Sequence, residues 1–166
     1  MNSIQGERIM TEGILQGKVA MITGAGSPIG LGHAMAVGLV RAGARVALLD
    51  LNVAWLQQST AAIRSLGSEA CAVPIVTDIT NPDAVQQAVN RTLEEFGGLH
   101  ILVNNAGINQ RSAGYTSSPE NPFWQLTPEA WNRVVAINLS GAFFMARAVV
   151  PHLLAGVALL ERGRVD

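Results

Sequence analysis

From Lys18 onward, short aliphatic runs alternate with longer stretches whose apolar residues recur every three or four positions. The short runs predict strands and the longer recurrences predict amphipathic helices, and their alternation predicts βαβ units around a parallel sheet. Val19-Ala20-Met21-Ile22 is the first strand, and its unbroken apolar character suits a strand covered on both faces. A helix follows from about Gly32 to Ala42, with Met35, Leu39 and Val40 on its apolar side and Gly43 as its stop. Arg45 to Leu49 form the second strand, closed by Asp50, and Val53 to Leu66 the second helix, ended by Gly67. Cys71 to Val76 read as the third strand, where Pro74 demands an edge position. Asn81 as cap and Pro82 at the first helical position open a third helix that runs to Phe96 and stops at Gly97-Gly98. His100 to Val103 are the fourth strand, and the polar stretch Gln110 to Asn121 reads as a mobile loop. Thr127 and Pro128 start a last helix that continues through Trp131, Val134, Asn138 and Phe144 towards Pro151.

Composition narrows what this α/β chain can do. Its 166 residues suit one domain, and a chain of this size buries roughly 70% of its unfolded surface, enough for a core without metals or disulfides. Charged residues make up 14% against a hydrophobic 49%, where about 25% charged is usual. Disorder is excluded, and so little charge implies a surface built to be covered by helices, by an oligomer partner or by more polypeptide. Eleven basic against twelve acidic residues leave no positive excess for nucleic-acid phosphates. Met1 to Leu15 carry Glu7, Arg8 and Glu12 and lack the apolar run of a signal peptide. Ile137 to Leu160 are long enough to span a bilayer, but Asn138, Arg147, Pro151 and His152 interrupt them and argue against a membrane helix. Cys71 stands alone, which suits a reducing, cytoplasmic setting. His33, His100 and His152 are scattered and form no metal set, and Ser140 has no His or Lys placed to activate it.

Chemistry concentrates in the turn after the first strand, Thr23-Gly24-Ala25-Gly26-Ser27-Pro28-Ile29-Gly30-Leu31-Gly32. Glycine permits positive φ and close backbone approach, and a helix amino terminus offers free N–H groups to a pyrophosphate. By itself this is equally an ordinary strand-to-helix turn, because Ile29 breaks the strict G-x-G-x-x-G spacing. Asp50, 18 residues beyond Gly32, stands near the spacing of about 20 at which a dinucleotide fold places its ribose-binding carboxylate. The bland reading of Asp50 is a solvated strand end. No Arg or Lys lies between Thr23 and Gly32 to neutralise a 2′-phosphate, which favours NAD over NADP.

Together with Thr23-Gly24, Asp50 and Asp78, the sequences Asn104-Asn105-Ala106-Gly107 and Ile137-Asn138-Leu139-Ser140-Gly141 resemble the short-chain dehydrogenase/reductase family from about Lys18 to His152. The resemblance implies a Rossmann-type, doubly wound parallel sheet with strand order 3-2-1-4, truncated after about four strands and four helices. It also implies hydride transfer between a nicotinamide and a carbonyl or secondary alcohol, with NAD as cofactor. The implied cofactor set is Thr23, Gly24, Gly26, Ser27, Ile29, Gly30, Leu31 and Gly32 on the turn, Asp50 and Leu51 after strand two, and Asp78 and Ile79 after strand three. Asn105, Ala106, Gly107 and Ile137 complete it. Asn138 matches the asparagine of the family's catalytic tetrad, which kinks its helix and holds a water in the proton relay. Against the family's Thr-Gly-x-x-x-Gly-x-Gly, the turn is two residues longer, with Pro28 at the sixth position and Gly30 and Gly32 taking the glycine roles.

The family's other catalytic groups are a Ser, a Tyr and a Lys four residues after the Tyr. Here the single tyrosine, Tyr115, is followed at that spacing by Pro119, and the single lysine is Lys18. The expectation is a cofactor-binding half, residues 17–166 after an extension 1–16, inactive alone. Gly163-Arg164-Val165 read as the first residues of a fifth strand. The alternative is a non-catalytic dinucleotide-binding or interaction module that pairs with a complete family member. A fourth strand left as an edge, and a last helix exposing Phe143, Phe144, Val149 and Val150, point to homo-oligomer contacts through that helix.

Overall fold

A computed structural model describes residues 13–162 of the chain. Four parallel strands, β1 (Val19–Thr23), β2 (Arg45–Asp50), β3 (Ala72–Val76) and β4 (Ile101–Val103), form one sheet in the order β3-β2-β1-β4. Between them run α1 (Leu31–Arg41), α2 (Val53–Arg64) and α3 (Pro82–Phe96), and after β4 come α4 (Pro128–Val135) and α5 (Ala142–Arg162), joined by a π-helical turn at Ala136–Gly141. This is the α/β Rossmann-type doubly wound arrangement expected from the sequence.

The period-two alternation of the strands sorts side chains onto two layers. Val19, Met21, Ala47, Leu49 and Val73 face α3 and α5, meeting Val85, Val89, Met145 and Val149. Ala20, Ile22, Val46 and Leu48 face the other way, onto Ala36 of α1 and Leu56 and Ile63 of α2. Every residue of β1 is buried, and each large one contributes about 1.5–3 kcal/mol through removal from water. β4 by contrast is only half-buried along its whole length and pairs with β1 alone. β3 forms the opposite edge, which accommodates Pro74 opposite Leu48 in the ladder with β2. Its strand starts at Ala72, one residue later than expected, because Cys71 N–H closes a 3₁₀ turn onto Ser68 O at 3.0 Å.

Helix starts follow their caps. Asn52, Asn81 and Thr127 accept backbone N–H bonds at the heads of α2, α3 and α4, and Gly97 ends α3 with φ of 75°. α1 has no such side-chain cap and no acidic residue in its first turn.

Val149, expected among the exposed residues of the last helix, is instead fully buried, and Phe144 is partly buried against the same core, because this face of the helix packs on the sheet. Two further expectations are corrected. The last helix passes through Pro151 and runs on to Arg162. Proline there forfeits an internal hydrogen bond, but the buried stripe Met145 and Val149 continues in Leu153, packed on the same core, so tertiary burial outweighs the local break. The polar loop also carries its own anchor. Tyr115 is buried, and its hydroxyl donates to Pro122 O at 2.5 Å and lies 3.3 Å from Asn121 O. Composition registered the polar residues and passed over this one. Gly163-Arg164-Val165 lie outside the described residues, as do 1–12.

The feet of β1 and β4 are joined through His100. Its N–H donates to Val19 O at 2.9 Å, and Val19 N–H donates to its Nδ1 at 3.0 Å. His100 is an exposed residue, but partial desolvation of its ring, reinforced by the charges of Lys18 and Arg45, lowers its pKa from 6.5. The unfolded chain therefore binds this proton at higher pH than the folded one, so the stability held above the unfolded value is lost as pH falls towards the folded value. Urea midpoints will fall between about pH 7.5 and about pH 5.5, and will fall less in His100→Asn, whose amide can accept the Val19 bond without titrating. Equal falls in both proteins would remove His100 from the account.

Candidate functional site

A cleft of about 190 Å³ opens at the carboxyl ends of the strands, lined by Gly24 from β1's exit, Leu49, Asp50 and Leu51 from β2, and Thr77, Asp78 and Ile79 from β3. Ala106, Gly107 and Ile108 beyond β4, with Ile137 of the π turn, close its other side. The sheet winds outward in opposite directions from β1 and β4, which is where an open α/β fold forms a crevice.

The loop over this cleft is fixed by hydrogen bonds. Thr23 Oγ1 accepts the N–H groups of Asn105 and Ala106, each at 3.0 Å. Asn105 Nδ2 donates back to Thr23 O at 2.9 Å and Gly24 O at 3.0 Å. Gly24 sits at φ of 65°, and a Cβ there would lie 2.8 Å from Ala106 Cα, so side chains are excluded twice over. At Gly32 a Cβ would meet Gly24 O at 2.5 Å and Asn105 Nδ2 at 2.7 Å, so the first turn of α1 presses on the same clamp. Within the loop, Gly30 N–H closes a turn onto Ser27 O at 2.9 Å.

Asp50 anchors the loop from the other side. Its Oδ2 accepts Gly26 N–H at 2.8 Å and its Oδ1 accepts Asn52 N–H at 3.0 Å. Ser59, fully buried on α2, donates its hydroxyl to Gly26 O at 2.7 Å. That donation makes the nearby His33 Nδ1, 3.0 Å from Ser59 Oγ, the donor of its pair. The second carboxylate, Asp78, holds Thr80 through its N–H and hydroxyl at 2.9 and 2.7 Å. Its neighbour Ile79 is buried where Gly141 lets the helix approach, since a Cβ on Gly141 would lie 2.7 Å from Ile79 Cδ1.

Asn138 lies on the π turn and pairs its amide with one backbone residue: Ile108 N–H donates to Oδ1, and Nδ2 donates to Ile108 O, both at 2.9 Å. The helix carrying this asparagine is locally π-helical, a departure from regular α geometry that is frequent at functional sites.

Of the residues expected from the sequence, Gly24, Asp50, Leu51, Asp78, Ile79, Ala106, Gly107 and Ile137 line the cleft. Thr23, Gly26, Gly32 and Asn105 lie behind it and hold its shape. Ile29 on the loop and Leu31 at the start of α1 are exposed, at 97% and 78%, and Asn138 borders a neighbouring cavity. Leu49, Thr77 and Ile108 were missed; each directly adjoins an expected residue, and strand-end position was the signal that could have found them. No Lys or Arg lines the cleft, and no metal-holding cluster of His, Cys, Asp or Glu occurs among the described residues.

The short chain dehydrogenase family model matches residues 18–164. A galactitol 2-dehydrogenase of Agrobacterium fabrum is 44% identical over 142 residues, which are 85% of this chain and 49% of that protein. Among solved structures, a short chain dehydrogenase/reductase from Burkholderia phymatum in complex with NAD matches with a TM-score of 0.74 and 31% identity, over 86% of this chain and 46% of that one. A metagenomic short-chain oxidoreductase in complex with NADP matches with a TM-score of 0.72 and 31% identity, over 86% and 59%. The chain spans about half the length of the curated relatives it matches. A parallel sheet in this order, a glycine turn clamped by Asn105 and an asparagine on a π turn, all inside the matched span, lead to one conclusion: the chain belongs to the short-chain dehydrogenase family.

Proposed function

We propose that this chain supplies the dinucleotide-binding half of an oxidoreductase acting between a nicotinamide and a carbonyl or secondary alcohol, and that it binds NAD in the cleft between Gly24, Asp50 and Ile137. The observation that carries the reading is the uncapped start of α1 behind a loop whose glycines exclude side chains. Such a helix end offers unbonded N–H groups and a positive dipole to a pyrophosphate. Asp50 and Leu51 would meet the adenosine ribose, Asp78 and Ile79 would flank the adenine, and Ala106, Gly107 and Ile137 would run along the rest. The bound group would supply the hydride. Asn138, by fixing Ile108 at both backbone atoms, positions the wall beside the reacting ring.

NAD is preferred over NADP because a 2′-phosphate would meet the Asp50 carboxylate with no cation lining the cleft among the described residues. Turnover by this chain alone is absent in the proposal: its only tyrosine hydroxyl is committed to Pro122 O, and its only lysine, Lys18, precedes β1 at the far end of the sheet.

A second reading draws on the half-buried outer edge of β4 and the exposed Phe143, Val150 and Leu154 on α5, at 58%, 43% and 64%. Edges and apolar faces of this kind pair with other chains, so an interaction module, or a homo-oligomer through the last helix, is the alternative. Light scattering that finds a monodisperse monomer would remove the homo-oligomer, and a monomer that stays so when mixed with a complete family member would remove the interaction module.

Calorimetry of the chain will show one NAD site, with NADP about tenfold or more weaker. Asp50→Asn will weaken NAD by about tenfold, the equivalent of a charge-assisted hydrogen bond of roughly 1.5–3 kcal/mol partly retained, and will narrow the gap to NADP. No NAD binding by a folded, monodisperse chain sinks the proposal. Gly24→Ala will lower the unfolding free energy by about 1–3 kcal/mol in urea titrations, from forced positive φ and contact with Ala106; an unchanged midpoint would refute the close approach.

A further inference from the structure

Next to the cofactor cleft lies a second, larger cavity of about 460 Å³, formed between α4 and the segment that follows β4. Its volume falls in the range of small-molecule sites, roughly 300–1,000 Å³. Ile108 lines both spaces, so the cavity adjoins the cleft at the wall that Asn138 holds. Trp131 and Val134, one helical turn apart on α4, form one side, and Phe123, Leu126 and the ring of Tyr115 contribute to the other.

The cavity contains no charged residue, and its polar members are largely committed elsewhere. The Tyr115 hydroxyl donates to Pro122 O. The Asn138 amide is paired at both atoms with Ile108. Asn109 Oδ1 accepts both the N–H and the hydroxyl of Ser112, at 3.0 and 3.2 Å. Gln110, Ser117 and the Asn109 amide nitrogen are what remains, few for a ligand with a hydroxyl on every carbon. Each hydroxyl left buried without a partner costs affinity, whereas a fused or saturated ring carries one polar atom and covers the Trp131 and Phe123 faces.

We infer that this cavity is the substrate-specificity site of the proposed oxidoreductase and that it selects an apolar cyclic alcohol or ketone over an acyclic polyol. The inference rests on the reading given under Proposed function, because it takes Ile108 to be the border with the reacting end of the cofactor.

The test is a titration of the ¹⁵N-labelled chain with 2-naphthol, with sorbitol and separately with NAD, followed by NMR. The chain has three tryptophans, Trp55, Trp124 and Trp131, whose indole signals are assigned by single substitution. The expected result is that 2-naphthol shifts the Trp131 indole and the Ile108 amide while Trp55, on α2, stays still. Sorbitol at the same concentration leaves all three unmoved, and Phe123→Ala, an exposed position, weakens 2-naphthol by about tenfold. Failure of 2-naphthol to move Trp131, or equal shifts with sorbitol, overturns the inference. If NAD shifts Gly24 while 2-naphthol moves nothing, the cofactor reading stands and the specificity site falls. If 2-naphthol moves Trp131 while NAD moves nothing, the cavity is supported as a ring-binding site and the cofactor reading falls.

Discussion

Thr23 and Asn105 tie the exit of β1 to the exit of β4, and the shape of the cleft depends on that tie. One hydroxyl accepts two backbone N–H groups, and one amide returns two bonds to the carbonyls of Thr23 and Gly24. Thr23 is buried and Gly24 half-buried at this strand end, where an unmade bond costs about 1–3 kcal/mol. Asn105 satisfies both carbonyls and so holds Gly24 against Ala106. Gly32 must then be bare as well, since any Cβ would strike the Asn105 amide. The sequence pattern Thr-Gly on one strand and Asn-Ala-Gly on another is in this sense one structural unit divided between distant parts of the chain.

The clamp has consequences for chemistry on both sides. Towards α2, Asp50 and Ser59 hold Gly26 by its N–H and its carbonyl, leaving the remaining carboxylate lone pairs facing the cleft without a cation. Towards α4, the same β4 exit runs on to Ile108, which Asn138 grips from the π turn. The cleft is therefore bounded by backbone atoms that side chains hold in place, the preorganisation a bound dinucleotide requires. Outside this region β4 keeps an open edge, and the low charge of the chain matches a surface whose apolar parts, such as Phe143 and Val150, stand exposed.

Most of the fold was legible because burial on both faces leaves unbroken apolar strands, and because Asn81-Pro82, Thr127-Pro128 and Gly97 mark helix ends through local chemistry. Asp50 was legible as a site candidate from its spacing after the glycine turn, whereas Asp78 and Asn138 became candidates only through the family resemblance. What escaped was decided by tertiary contact. Pro151 looked like an end, but Leu153 extends the buried stripe beyond it. Tyr115 looked like part of a polar loop, but its hydroxyl finds Pro122 seven residues on. Thr77 and Ile108 carry no chemical signal of their own and reach the cleft only because the strands end there.

The central claim is that the Thr23–Asn105 clamp is formed in the chain itself and holds the cleft in shape. Native-state hydrogen exchange at the amides of Asn105 and Ala106 tests it most directly. A formed clamp will protect both amides comparably to the β1 core, and Thr23→Val will abolish that protection at both while β1 stays protected. Exchange at those two amides as fast as in the exposed part of the 110–121 loop would contradict it.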